Sequence, residues 1–157
     1  MKTSIGIKEK DTQAVAAILN KLLADEHVLY VKTRNAHWNV EGSDFHAQHL
    51  FFEGIYDQLG ETIDEIAERV RAIGHYAVGT MKEFLALTQL SEMRHNKNDS
   101  QGYIKELLTD FESIIVSLRE QIDLVGDTHK DAGTEDFLVG IIEQHEKTAW
   151  MLRAHLR

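Results

Sequence analysis

Residues 34–49, "RNAHWNVEGSDFHAQH", hold three histidines, a tryptophan and two acids within sixteen positions. Imidazole together with carboxylate is the donor set that non-haem iron favours. His49 and Glu53 are four residues apart, so on a helix they share a face, and Asp64 and Glu68 repeat that spacing farther along. His37 completes the first group from the other side of a turn. These five side chains are the candidate metal ligands, with Trp38 beside the first of them.

The elements that carry them read as helices throughout. Residues 12–36 place Val15, Ile18, Leu22 and Leu29 near one stripe, with Asp11 or Thr12 as the N-cap. Gly42-Ser43-Asp44 is a turn, and a second helix runs from Phe45 to about Ile73, stopped by Gly74. A short helix falls within "MKEFLALTQL". The third long helix follows the cap at Asp99-Ser100 and carries Ile104, Leu107, Leu108, Phe111, Ile114, Ile115, Leu118, Ile122 and Val125. A fourth carries Phe137, Leu138, Ile141, Ile142, Ala149 and Leu152. No segment alternates with the period of a strand. Short turns within each helix pair and one long crossover between the pairs specify an all-α, ferritin-like four-helix bundle, with a short extra helix in the crossover. Residues 1–157 read as one domain.

This arrangement separates the two ligand groups. His49 and Asp64 lie fifteen residues apart, roughly 22 Å along a straight helix at about 1.5 Å per residue. The chain has no proline to kink that helix. Paired irons sit about 3.5–4 Å apart, so the two groups cannot share a site within one chain. They can meet between two chains whose second helices pack antiparallel about a two-fold axis, which gives two identical sites per dimer. On spacing alone a bland reading stands beside this one. Nine histidines produce chance spacings, and Asp64, Glu65 and Glu68 are equally a solvated helix face.

Composition narrows the classes. A length of 157 residues supports one domain with a core, and 43% hydrophobic with 27% charged residues is ordinary for a soluble protein. The absence of cysteine excludes disulfides, thiolate metal sites and a cysteine nucleophile, and fits a reducing cytoplasm. No apolar run approaches a membrane span, and the N-terminus has no signal-peptide core. A net charge of −9 disfavours non-specific binding to nucleic acid or anionic membrane.

The stretch "NAHWNVEGSDFHAQHLFFEGIYDQL", followed by "IDEIAERVRAIG", resembles the signature of the Dps family (DNA-binding protein from starved cells), the small-cage branch of the ferritin-like proteins. The resemblance covers essentially the whole chain and is most specific over residues 34–74. It implies that His37, His49, Glu53, Asp64 and Glu68 are ferroxidase ligands, although family members more often carry aspartate at the position of Glu53. It implies a homododecamer of tetrahedral symmetry, built from two-fold dimers, with iron sites at the dimer interfaces. Ferrous iron would be oxidised there, preferably by hydrogen peroxide, and stored as ferric mineral in the cavity. Trp38 would pack the site or quench stray oxidising equivalents, or else be a core aromatic at a helix end. Acids lining three-fold entry pores in the family correspond to Asp127, Asp136 and, displaced by one residue, Asp131; ordinary helix N-terminal acids are the alternative.

Two departures qualify the resemblance. DNA-binding relatives often carry a lysine-rich tail, whereas only Lys2, Lys8 and Lys10 precede the first helix and the sequence ends in "RAHLR". DNA binding is therefore expected to be weak or absent, against the rival reading of a nucleoid-compacting protein. Classical ferritins and di-iron enzymes use paired Glu-x-x-His motifs within one chain. Here the only such spacing is Glu92 to His95, in the crossover and without a partner, which disfavours an intra-subunit di-iron or di-manganese enzyme. A catalytically inert helical dimer is the third rival. His27, His46, His75, His129, His145 and His155 receive no role in chemistry, and His145 reads as a hydrogen-bonded core histidine.

Overall fold

The structure, a computed structural model, describes residues 3–157. Helix α1 spans Glu9–Asn39, longer at both ends than its apolar stripe predicts. Its start is polar and so escapes a hydrophobic pattern: Lys8 occupies the N-cap without a side-chain bond, and Glu9 and Asp11 in the first turn complement the helix dipole. Thr12, expected as a cap, lies inside that turn and donates to the Glu9 carbonyl at 3.0 Å. Helix α2, Phe45–Ala72, returns antiparallel against α1. It ends where Gly74 adopts φ +96°, a conformation in which a side chain would also strike Thr3.

The crossover, residues 73–99, runs along α1 and contains α3, Met81–Leu87. Thr80 and Glu83 form a reciprocal capping box at its start. Polar residues of the long helices hold the irregular segments around α3. Asn20 accepts from Val78 N and donates to Tyr76 O. Asp25 accepts from Thr88 Oγ1 and Gln89 N, both at 2.7 Å. Lys32 donates to Ser91 O at 3.0 Å. These bonds satisfy crossover backbone that has no ladder of its own, and they account for the burial of Asp25 and Lys32 on α1.

Helix α4, Ser100–Asp123, is capped by Asp99, whose carboxylate accepts from Gly102 N at 2.8 Å. It leads into a π-helical turn, Leu124–Thr128, that keeps Val125 in the core and lies beyond what the apolar stripe could predict. Helix α5, Ala132–Ala154, returns against α4. The core between the helices holds Phe52, Phe111, Leu19, Leu23, Leu29, Leu59, Ile66, Ile104 and Leu138, all almost wholly buried. Among the described residues there is no strand, only an isolated bridge between Glu41 and Asp99. The all-α bundle with a helix in its single long crossover is the architecture expected from the sequence.

Candidate metal centre

The core stripe of α2 is Gln48, Phe52, Ile55, Leu59, Thr62, Ile66 and Val70, at steps of three and four. At about 100° per residue, His49, Glu53 and Asp64 fall within roughly 60° of one another, and Glu68 about 40° farther round. That face is turned well away from the core stripe. Asp64 and Glu68 are accordingly exposed, and Glu53 is half-buried. Because α2 is one unbroken helix, the fifteen-residue step from His49 to Asp64 keeps these groups apart. Among the described residues, no three His, Asp or Glu side chains gather closely enough to hold a metal ion.

Two of the predicted ligands do meet. His37, buried near the end of α1, and half-buried His49, in the second turn of α2, stack with ring centroids 3.7 Å apart. His37 Nδ1 donates to the His49 carbonyl and His49 Nδ1 donates to the His37 carbonyl, each at 2.8 Å. A carbonyl oxygen only accepts, so both Nδ1 atoms carry the proton, and in the neutral rings both Nε2 atoms keep a lone pair. Donation from the non-ligating nitrogen to a carbonyl is the usual way a protein orients a metal-binding imidazole.

Around this pair sits a cluster that sequence reasoning missed. Tyr56 presents its ring at 81° to His37, with centroids 5.0 Å apart. Arg34, one turn before His37, lies 4.4 Å from the centre of the Tyr56 ring and 4.8 Å from Trp38, and donates to Tyr30 Oη at 3.0 Å. Burial first, and then the Glu53 carboxylate, push the Tyr56 phenol above its ordinary value. The arginine-to-tryptophan spacing of four was available as a signal. Trp38 is 63% exposed, which corrects the reading of it as a core aromatic; its ring projects from the bundle against Arg34.

Of the three expected pore acids, Asp127 and Asp136 are exposed at the π-helical turn and the start of α5. Asp131 is not available for such a role. It is 2% exposed, caps α5 through Thr134 N at 3.0 Å and Thr134 Oγ1 at 2.6 Å, and pairs with Arg69 at 3.2 Å. A cap preference therefore outweighs the acidic pattern at that position.

The remaining histidines other than His46 have structural partners. His145 is 2% exposed and bonds Glu26 at 2.7 Å across the bundle, as expected of a core histidine. His129 donates to Asp11 at 3.1 Å, and His75 bonds Thr12 at 2.9 Å. His155 donates to the Met151 carbonyl. His27 stacks on Phe84, and burial holds it below the ordinary histidine value. His95 bonds Asp99 rather than Glu92. His46 is exposed.

Comparison with known proteins agrees with this architecture. The family model for the ferritin-like domain matches residues 16–157. An uncharacterised low temperature-induced protein of Nostoc is 42% identical over 155 residues, covering 99% of this chain and 87% of that protein. DNA protection during starvation protein 2 of Bacillus anthracis is 39% identical over 142 residues, covering 90% of this chain and 96% of that protein. The crystal structure of the Dps protein from Vibrio cholerae O1, described as a member of a broad superfamily of ferritin-like diiron-carboxylate proteins, superposes with a TM-score of 0.93 at 31% identity, covering 100% of this chain and 98% of that one. With its unbroken helices, single long crossover and whole-chain match, this protein belongs to the ferritin-like family, in the branch of the Dps proteins.

Proposed function

We propose that this protein oxidises ferrous iron at sites shared between two copies of the chain and stores the ferric product inside a dodecameric cage. The observation that carries the reading is the distribution of donors on α2: His49 and Glu53 share an outward face with Asp64 and Glu68, but lie roughly a 22 Å span away along the helix. An antiparallel two-fold pairing of α2 brings the His37, His49 and Glu53 end of one chain opposite the partner subunit's Asp64 and Glu68. The imidazoles would then bind ferrous iron through Nε2, and the partner's carboxylates would supply the negative charge that favours the ferric product.

Hydrogen peroxide is the preferred oxidant in this reading. Two ferrous ions each give one electron, the O–O bond breaks, and two hydroxides form, so no hydroxyl radical is released. Asp127 and Asp136, both exposed, would draw cations toward an entry pore. A net charge of −9 per chain argues that any protection of DNA runs through consumption of iron and peroxide rather than through coating the duplex. Among the described residues no helix is long and apolar enough to cross a membrane. We place the protein in the cytoplasm, a reducing compartment that a chain without cysteine fits.

The test is anaerobic loading of ferrous iron onto a particle of known mass, followed by peroxide or oxygen in stopped flow. A fast oxidation phase that scales with two sites per dimer, and is faster with peroxide, is expected. Oxidation no faster than in free buffer contradicts the reading.

A further inference from the structure

The turn between α1 and α2 is held from outside by the start of α4, and this restraint bears on the histidine pair. Asp44 stands at the N-cap of α2, a position where its carboxylate would normally accept from the helix's own first N–H groups. It makes no such bond. Instead Asp44 Oδ2 accepts from Ser100 Oγ at 2.6 Å, and Ser100, the first residue of α4, is only 6% exposed. Beside it, Glu41 N donates to Asn98 O at 2.8 Å, and Glu41 bridges Asp99. Tyr103 extends the contact, bonding Asn98 through its hydroxyl at 3.0 Å and packing edge-on against Phe52 of α2.

The His37–His49 stack depends on the register of the two helices that this turn joins, because each Nδ1–H is aimed at a carbonyl of the opposite helix. Asp44 lies five residues before His49, so a shift of the first turn of α2 moves both the ring of His49 and the carbonyl that orients His37. A cap residue diverted from its own helix to a buried serine on α4 spends local helix stability on this register. We propose that Ser100 is a positioning residue of the metal site, acting through Asp44 to hold the two imidazoles in their reciprocal arrangement. This rests on the reading of His37 and His49 as ligands.

Cobalt(II), titrated into the assembled protein and followed by its d–d absorption, tests the proposal without oxidation. Ser100→Ala and Asp44→Ala are expected to weaken cobalt binding about tenfold, the lower end of what loss of an orienting partner costs a metal site. Particle size should not change. Asp44→Asn keeps an oxygen able to accept from Ser100 and is expected to bind like the wild type. Wild-type affinity in Ser100→Ala beside lost binding in His37→Ala overturns the role of Ser100 alone, as does equal weakening in Asp44→Asn and Asp44→Ala. Unchanged binding in His37→Ala overturns the site reading and the role of Ser100 with it.

Discussion

His37 and His49 each donate from Nδ1 to the other's backbone carbonyl at 2.8 Å, so each residue orients its neighbour's ring while presenting its own Nε2. The pair is a unit that forms from opposite ends of a turn, and its two halves should fail together. Replacing either histidine by alanine removes one donor nitrogen and also one of the two bonds that fix the register. Each single variant is expected to lose about 10–100-fold in the initial ferrous oxidation rate. The double variant should be little worse than either single one. Stopped-flow oxidation of all three variants measures this coupling; two independent, multiplicative losses would contradict it.

Asp64 and Glu68 should separate function from stability. Both are exposed on the outward face of α2. Surface substitutions without packing contacts usually change stability by no more than about 0.5 kcal/mol. Asp64→Ala and Glu68→Ala are therefore expected to unfold in urea like the wild type while losing the fast oxidation phase. Retained oxidation would return these acids to the status of a solvated helix face.

The Glu26–His145 pair makes the opposite prediction. Both residues are buried, their hydrogen bond is 2.7 Å, and Glu26 Oε2 has no partner among the described residues. Removing one partner leaves a polar or charged group uncompensated in the core, so His145→Ala should cost about 3–5 kcal/mol. Glu26→Leu combined with His145→Leu removes both groups and should recover most of that loss. A double-mutant cycle in urea checks the coupling, which should exceed 1 kcal/mol by roughly the margin seen for residues in direct contact.

Lys32 gives a pH dependence with two signs. Its ammonium is 2.8 Å from Glu106 and 2.5 Å from Asp110, and a single lysine does not serve both carboxylates equally. Burial works to raise Glu106, but the Lys32 bond and the backbone donors of Arg94 and His95 outweigh it and hold Glu106 below its ordinary value. Burial dominates at Asp110 and holds it above its ordinary value, despite Lys32. The depressed Glu106 contributes stability that is present at neutral pH and lost as pH falls through its folded value. Glu106→Gln should thus cost about 1–3 kcal/mol at pH 7 and progressively less as the pH falls through the folded value of Glu106. The raised Asp110 favours the folded state below the ordinary aspartate range and loses that contribution as pH rises, so Asp110→Asn should be neutral or stabilising at pH 7. Urea unfolding of both variants at pH 7 and pH 3 distinguishes the two signs.

Much of the scaffold was readable from residue pattern. The apolar stripes of α2 and α4 gave their extents closely, because a half-buried helix must repeat its core face at steps of three and four. Two other features followed local chemistry that the stripe does not report: the polar first turn of α1 and the π-helical turn after α4. The capping box at Thr80 and Glu83 was a local signal left unused. For the metal centre, spacing grouped His49 with Glu53 and Asp64 with Glu68, and the length of α2 separated the groups. Spacing could not reveal that His37 and His49 exchange carbonyl bonds, nor that Arg34 fills the space between Trp38 and Tyr56, since both depend on the register between helices. Asp131 went to a helix cap and Arg69 because a buried N-cap must be satisfied, a demand invisible in a run of acids.

Complementation between defective chains decides whether the site is shared. A His37→Ala/His49→Ala chain and an Asp64→Ala/Glu68→Ala chain are each expected to be inactive alone. In a mixed dimer, one of the two sites combines the intact histidines of one chain with the intact acids of the other. Co-assembly of the two variants in equal amounts should then restore about one quarter of the wild-type fast oxidation amplitude, as random pairing about a two-fold axis requires. Mixed particles that stay as inactive as either parent would contradict a site shared between copies.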